Sequence, residues 1–131
     1  MLPPPVLGVL GEPVAVGGMR LTVLSVELDA QPPERLRLDP ADRFVLVQLR
    51  YVAGAGGPAI ASPYDWTLTD DSGAAYPAVL DGVDGALPEG RLAASGRAQG
   101  RLGFVVPRST AGLVLHFDAE VGDDVALVPL G

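Results

Sequence analysis

The sequence predicts an all-β fold, an immunoglobulin-like antiparallel β-sandwich of about seven or eight strands. Three observations carry this reading. Apolar and polar side chains alternate with a period of two in several segments, while helical periodicity is weak everywhere. The 17 glycines and 13 prolines are dispersed between short aliphatic runs instead of forming tracts, the distribution of many short elements joined by turns. With 131 residues, 48% of them hydrophobic, the chain matches one domain that buries roughly two-thirds of its unfolded surface without needing disulfides or a structural metal.

The elements follow in order. Pro3-Pro4-Pro5 favours an extended polyproline segment, so residues 1–10 read as a Pro-rich linker or edge strand and residues 11–131 as the sandwich domain. The apolar stretch Val6 to Leu10 is either the first strand or an edge that supports weak homo-oligomer formation by strand addition. Glu12 to Val16 and Arg20 to Leu28 flank Gly17-Gly18, a dipeptide that favours a tight hairpin. Arg43 to Val52 is the clearest strand. Val45, Val47, Leu49 and Tyr51 share one of its faces, and Phe44, Leu46, Gln48 and Arg50 share the other, which starts apolar and ends polar. Trp66 to Thr69 and Ala74 to Val79 straddle Asp70-Asp71-Ser72-Gly73, a turn that places glycine where a positive φ is needed. In Arg97 to Val106 the polar Arg97, Gln99 and Arg101 alternate with small and apolar residues until Pro107 ends the ladder. Leu113 to Asp118 and Asp124 to Leu130 complete the set. The longer connections, Asp29 to Asp42 and Leu80 to Ser95, read as loops at the sandwich ends.

Composition excludes several chemistries. Every basic residue is arginine, so a Walker-type phosphate loop, a Schiff-base lysine and a pyridoxal phosphate site are all absent. The lack of cysteine removes thiol nucleophiles, disulfides and thiolate metal sites. The formal charge of −7 and the scatter of nine arginines along the chain argue against a nucleic-acid partner. The start lacks the basic region of a signal peptide, and no apolar run is long enough to span a membrane.

Gly11-Glu12-Pro13-Val14, followed by a glycine turn, Leu21-Thr22-Val23 and the valine-rich strand from Phe44, resembles a bacterial family of uncharacterised extracellular domains with a telokin-like immunoglobulin fold. Trp66-Thr67-Leu68-Thr69-Asp70-Asp71-Ser72-Gly73 with Tyr76 is similar to that family's phenylalanine-x-leucine, aspartate-x-aspartate-glycine, tyrosine segment, with Trp66 where phenylalanine is usual. Gly100-Arg101-Leu102-Gly103-Phe104-Val105-Val106-Pro107 is similar to its glycine-x-leucine-x-phenylalanine-x-valine-proline element. The resemblance covers Gly11 to Leu130. It implies an exported domain, secreted or tethered to the cell envelope and often a lipoprotein, in a family that includes a secreted immunoprotective antigen and has no established catalytic residues. Two departures are Ala53-Gly54 where the family often has asparagine, and the lack of an export signal or lipid-bearing cysteine in this sequence.

The candidate site residues are few. His116 is the only imidazole, so acid–base and metal chemistry both pass through it; alternation sets it on the more exposed face of its strand, as a solvated histidine or an interaction residue. No serine stands in a glycine-x-serine-x-glycine setting. Acids cluster at Asp70 and Asp71, at Asp81 and Asp84, and at Asp118, Glu120, Asp123 and Asp124, the last group being the candidate calcium ligands. Aspartate also serves turns through its own backbone hydrogen bonds, and no EF-hand spacing is present. Tyr64, between Pro63 and Asp65, is the ring expected to face solvent as an interaction residue, whereas Trp66 is expected in the core. These observations point to a non-enzymatic extracytoplasmic interaction or accessory domain with a protein partner and no cofactor. The alternative is a small-ligand or calcium-binding module using the acidic loops; a cytosolic enzyme is third.

Overall fold

The computed structural model describes residues 6–16, 19–34, 36–54, 59–61, 65–79, 83, 85–86, 90–118 and 125–130. In chain order the strands are β1 (Val6–Leu7), β2 (Val14–Val16), β3 (Met19–Ala30), β4 (Asp42–Ala53), β5 (Ala59–Ala61), β6 (Trp66–Thr69), β7 (Ala75–Pro77), β8 (Gly90–Leu92), β9 (Arg97–Pro107), β10 (Val114–Asp118) and β11 (Val125–Pro129). One sheet has the order β1-β11-β10-β6-β7, the other β2-β3-β4-β9, and β5 pairs with β8 in a small separate ribbon. All pairings are antiparallel except β1 with β11, which is parallel. The all-β sandwich expected from alternation is the fold observed.

Alternation explains how the two sheets close on each other. In β4 the inward set Val45, Val47, Leu49, Tyr51 and Ala53 is buried, and β9 supplies Leu102, Phe104 and Val106 beside it. Leu68 and Trp66 of β6 and Leu115 and Phe117 of β10 face them from the other sheet in the same apolar cluster. Phe44 belongs to the opposite face of β4 and is nevertheless 1% exposed. Its ring lies over Gly103 of β9, where an added Cβ would come within 2.3 Å of Phe44 Cζ. The apolar start of that face is therefore a small second core outside the sandwich interior, made possible by a glycine.

The strand count exceeds the expected seven or eight for physical reasons. β5 and β8 are three residues each, Ala-Ile-Ala and Gly-Arg-Leu, too short for alternation to register in the sequence. Part of the connection from Leu80 to Ser95, expected as loop, is thus β8, and two further bridges tie Val79 to Gly103 and Ala86 to Arg101. Val79 and Gly103 exchange both backbone hydrogen bonds, at 2.6 and 3.2 Å, and Arg101 donates to Gly85 at 2.9 Å. These contacts cover part of the free edge of β9. At the other end of the chain, Val6 and Leu7 pair with Ala126 and Leu127, and the Gly8 amide donates to the Leu127 carbonyl at 2.8 Å. The Gly17-Gly18 turn lies outside the described residues, while its flanks pair as a hairpin with Val16 opposite Met19.

Candidate functional site

The turn between β6 and β7 is built around Asp70. Its Oδ1 accepts hydrogen bonds from the Ser72 amide (2.9 Å), the Ser72 hydroxyl (2.6 Å) and the Ala74 amide (3.1 Å), and its Oδ2 accepts from the Tyr76 hydroxyl (2.8 Å). Gly73 has φ of 87°, the left-handed conformation expected for its place in the turn. Hydrogen bonds from Ser72 first, and then from Tyr76, hold the Asp70 carboxyl down at about 2, and the same bond to Asp70 raises the Tyr76 phenol. The Asp70-Asp71-Ser72-Gly73 segment with Tyr76 is thus a self-closed turn whose first carboxylate is occupied by protein donors. A folded-state pKa below the unfolded value of 3.8 means the ionised carboxylate stabilises the fold above about pH 4, and that this contribution is lost as pH falls toward about 2. Asp70→Asn is expected to lower Tm by a few degrees at pH 7 and to flatten the fall in Tm between pH 4 and 2. Thermal denaturation followed by circular dichroism checks this, and parallel pH profiles for the two proteins would contradict it.

His116 sits on the outer face of β10, half-buried, opposite Thr67 of β6 and Leu127 of β11. Its Nε2 is hydrogen-bonded to Thr69 Oγ1 at 2.9 Å. Among the described serines, Ser25 lies on the other sheet, the Ser72 hydroxyl donates to Asp70, and Ser95 occupies the turn before β9 with φ of 62°. Among the described residues no three histidine or acidic side chains group as metal ligands. Of the candidate calcium ligands, Asp118 ends β10 opposite Val125, and Glu120, Asp123 and Asp124 lie outside the described residues, as do Asp81, Asp84 and Tyr64.

Trp66 is in the core, 2% exposed, with its ring centroid 4.9 Å from that of Phe117 and 6.2 Å from that of Tyr51. Its indole N–H donates to the Tyr51 hydroxyl. Burial raises the Tyr51 phenol far above its ordinary range, and the charge of Asp65 adds to the rise while the bond from Trp66 opposes it. Asp65 is itself buried, at 8% exposure, the one such charged side chain among the described residues. Sequence reasoning missed it; its only signal is its position beside a core tryptophan.

Sequence reasoning also missed a surface. The outer face of the sheet carries three successive rows across β3, β4 and β9: Arg20, Val52 and Arg97; Thr22, Arg50 and Gln99; Ser25, Gln48 and Arg101. All four arginines are exposed, and the rows contain no acidic residue. An open concavity of about 330 Å³ is lined by Gln48, Gln99, Gly100 and Arg101 with Gly85. The guanidiniums that look scattered along the sequence are collected by strand register.

No helix among the described residues is long and apolar enough to cross a membrane. The fold is similar to that of MPT63, a secreted protein from Mycobacterium tuberculosis, at 10% identity with a TM-score of 0.76, covering 95% of this chain and 97% of that one. It is similar to the YjhA protein of Bacillus subtilis at 16% identity and a TM-score of 0.72, covering 94% and 98% of the two chains. It is also similar to the candidate lipoprotein YcdA of Bacillus subtilis subsp. subtilis str. 168, at 14% identity and a TM-score of 0.76 over 89% of this chain. The chain spans 37% of the length of that protein. At these identities the likeness is one of fold, and no curated protein matches the sequence. A family model described as a domain of unknown function, DUF4352, matches residues 9–126, and the chain belongs to that family.

Proposed function

We propose that this domain is a non-enzymatic interaction module that works outside the cytoplasm. The observation that carries the reading is the sandwich itself, which is matched nearly end to end by a protein described as secreted and over most of its length by part of a candidate lipoprotein. The chemistry of the described residues agrees with it. The one imidazole is tied to a threonine on a sheet face, and the first carboxylate of the conspicuous acidic turn is consumed by that turn. What the fold presents to solvent is mostly sheet face and loop, the surfaces with which sandwich domains bind.

The test is location in the native host. An epitope-tagged copy expressed from the native gene is expected in the culture medium or in the envelope fraction, where protease added to intact cells digests it. Recovery only with a cytosolic marker, protected from protease until lysis, would contradict the reading.

A further inference from the structure

We propose that the outer face of β3, β4 and β9 is the docking surface of this domain, and that its occupant is an extended acidic segment of a partner protein. This rests on the reading of the domain as an interaction module and names the partner's chemistry. Nine positions in three cross-strand rows hold Arg20, Arg50, Arg97 and Arg101, two glutamines and no carboxylate, in a chain of 16 acidic and nine basic residues. The nearest acid by register is Glu27, opposite Leu46, one row beyond Gln48. Among the described residues the ion pair formed is Arg108 with Asp29, away from these rows, and none of the four guanidiniums meets a carboxylate. Like charges held on one rigid face repel each other, and an anionic occupant relieves that repulsion. Guanidinium forks suit carboxylates because they bind them bidentately.

The surrounding charge selects the kind of anion. With four of the nine arginines in these three rows, five remain for the rest of the chain against all 16 acids, Glu27 one row away among them. A lipid surface or a long nucleic acid would extend past the arginine rows and meet that acidic surface. A short segment stays within them. An extended peptide places alternate side chains on one side about 6.8 Å apart, the same spacing as successive same-face residues on β4 and β9, so alternate carboxylates keep step with the rows. Gln48 and Gln99 carry both donors and acceptors, which suits peptide groups between the carboxylates. Beside them the 330 Å³ concavity along Gly100 and Arg101 gives the segment a place to lie.

The experiment uses the full chain and a fluorescein-labelled twelve-residue peptide of alternating glutamate and serine, with an alternating lysine and serine peptide as control. Fluorescence anisotropy at low salt is expected to show saturable binding of the acidic peptide only. The double substitution Arg50→Glu with Arg101→Glu is expected to weaken it at least tenfold, with Tm retained because both side chains are exposed. Arg37→Glu, at an exposed position outside the rows, is expected to leave binding within twofold. Absence of peptide binding would overturn the proposal, as would equal weakening by Arg37→Glu, or tighter binding to a single-stranded oligonucleotide or to phosphatidylglycerol vesicles. Failure here with extracytoplasmic location intact overturns the docking face alone; cytosolic location overturns the module reading whatever the peptide does.

Discussion

Replacing Trp66 with alanine is expected to lower the free energy of unfolding by about 3–5 kcal/mol, the usual cost of removing a buried aromatic ring from a core. Trp66 lies where the two sheets meet, stacked near Tyr51 of β4 and tilted against Phe117 of β10, so its removal opens a cavity shared by three strands. The loss has a second part. The indole N–H donates to the buried Tyr51 hydroxyl, and Trp66→Phe, which keeps most of the ring volume, is expected to cost less than alanine but still about 1–2 kcal/mol through that lost bond. Chemical denaturation followed by far-ultraviolet circular dichroism measures both, since Trp66 is the only tryptophan and its own fluorescence disappears with it. A change of less than about 1 kcal/mol for the alanine variant would place Trp66 outside the core.

Gly103→Ala is expected to destabilise by about 1–3 kcal/mol, the cost of forcing one extra carbon into a packed site. The new Cβ would stand 2.3 Å from Phe44 Cζ and 2.8 Å from Cε1. The tip of a ring yields easily when it is free, but Phe44 is 1% exposed and held on its strand between β3 and β9, opposite Ala30 and Val105. Phe44→Ala alone is expected to cost about 3–5 kcal/mol. In the double variant the methyl group fills space that the ring vacated, so the two losses should not add, and the shortfall is expected at about 0.5–3 kcal/mol. Strict additivity would mean that ring and glycine are not in contact.

Much of this architecture is written locally. Trp66–Thr69 is found as read, β4 exceeds its expected bounds by one residue at each end and β9 by one residue at its C-terminal end, because their alternation persists over four or more repeats. The Asp70 turn was equally legible, since the residues that demand it are adjacent: an aspartate that bonds its own backbone and a glycine three positions on. β5 and β8 carry no such repeat. Their pairing, and the parallel pairing of β1 with β11, depends on which segments the rest of the fold brings together. Phe44 shows the same limit within one strand: period-two patterning assigns its face correctly but not its burial, which needs a glycine on β9.

The arginine face was invisible for the same reason. Arg50 is set beside Gln99 and Gln48 beside Arg101 by the register of β4 on β9, and Thr22 and Ser25 join them through a register shift in β3 between Val23 and Ser25. A one-residue slip in either pairing would send these side chains to the core. Scatter along the chain therefore says little about charge on a sheet, where residues far apart in sequence become neighbours at about 5 Å. The candidates singled out from sequence fared differently. His116 is at its expected strand position but bonded to Thr69, whereas Tyr64 and three of the four candidate calcium ligands, Glu120, Asp123 and Asp124, lie outside the described residues.

The most direct test of the proposed docking face is a nuclear magnetic resonance titration of the isotope-labelled chain with the alternating glutamate and serine peptide. The expected result is amide shift changes confined to the rows of β3, β4 and β9, centred on Gln48, Arg50, Gln99 and Arg101, with His116 and Thr69 on the opposite sheet unmoved. Shift changes centred on the His116 face, or spread evenly over the molecule, would contradict it.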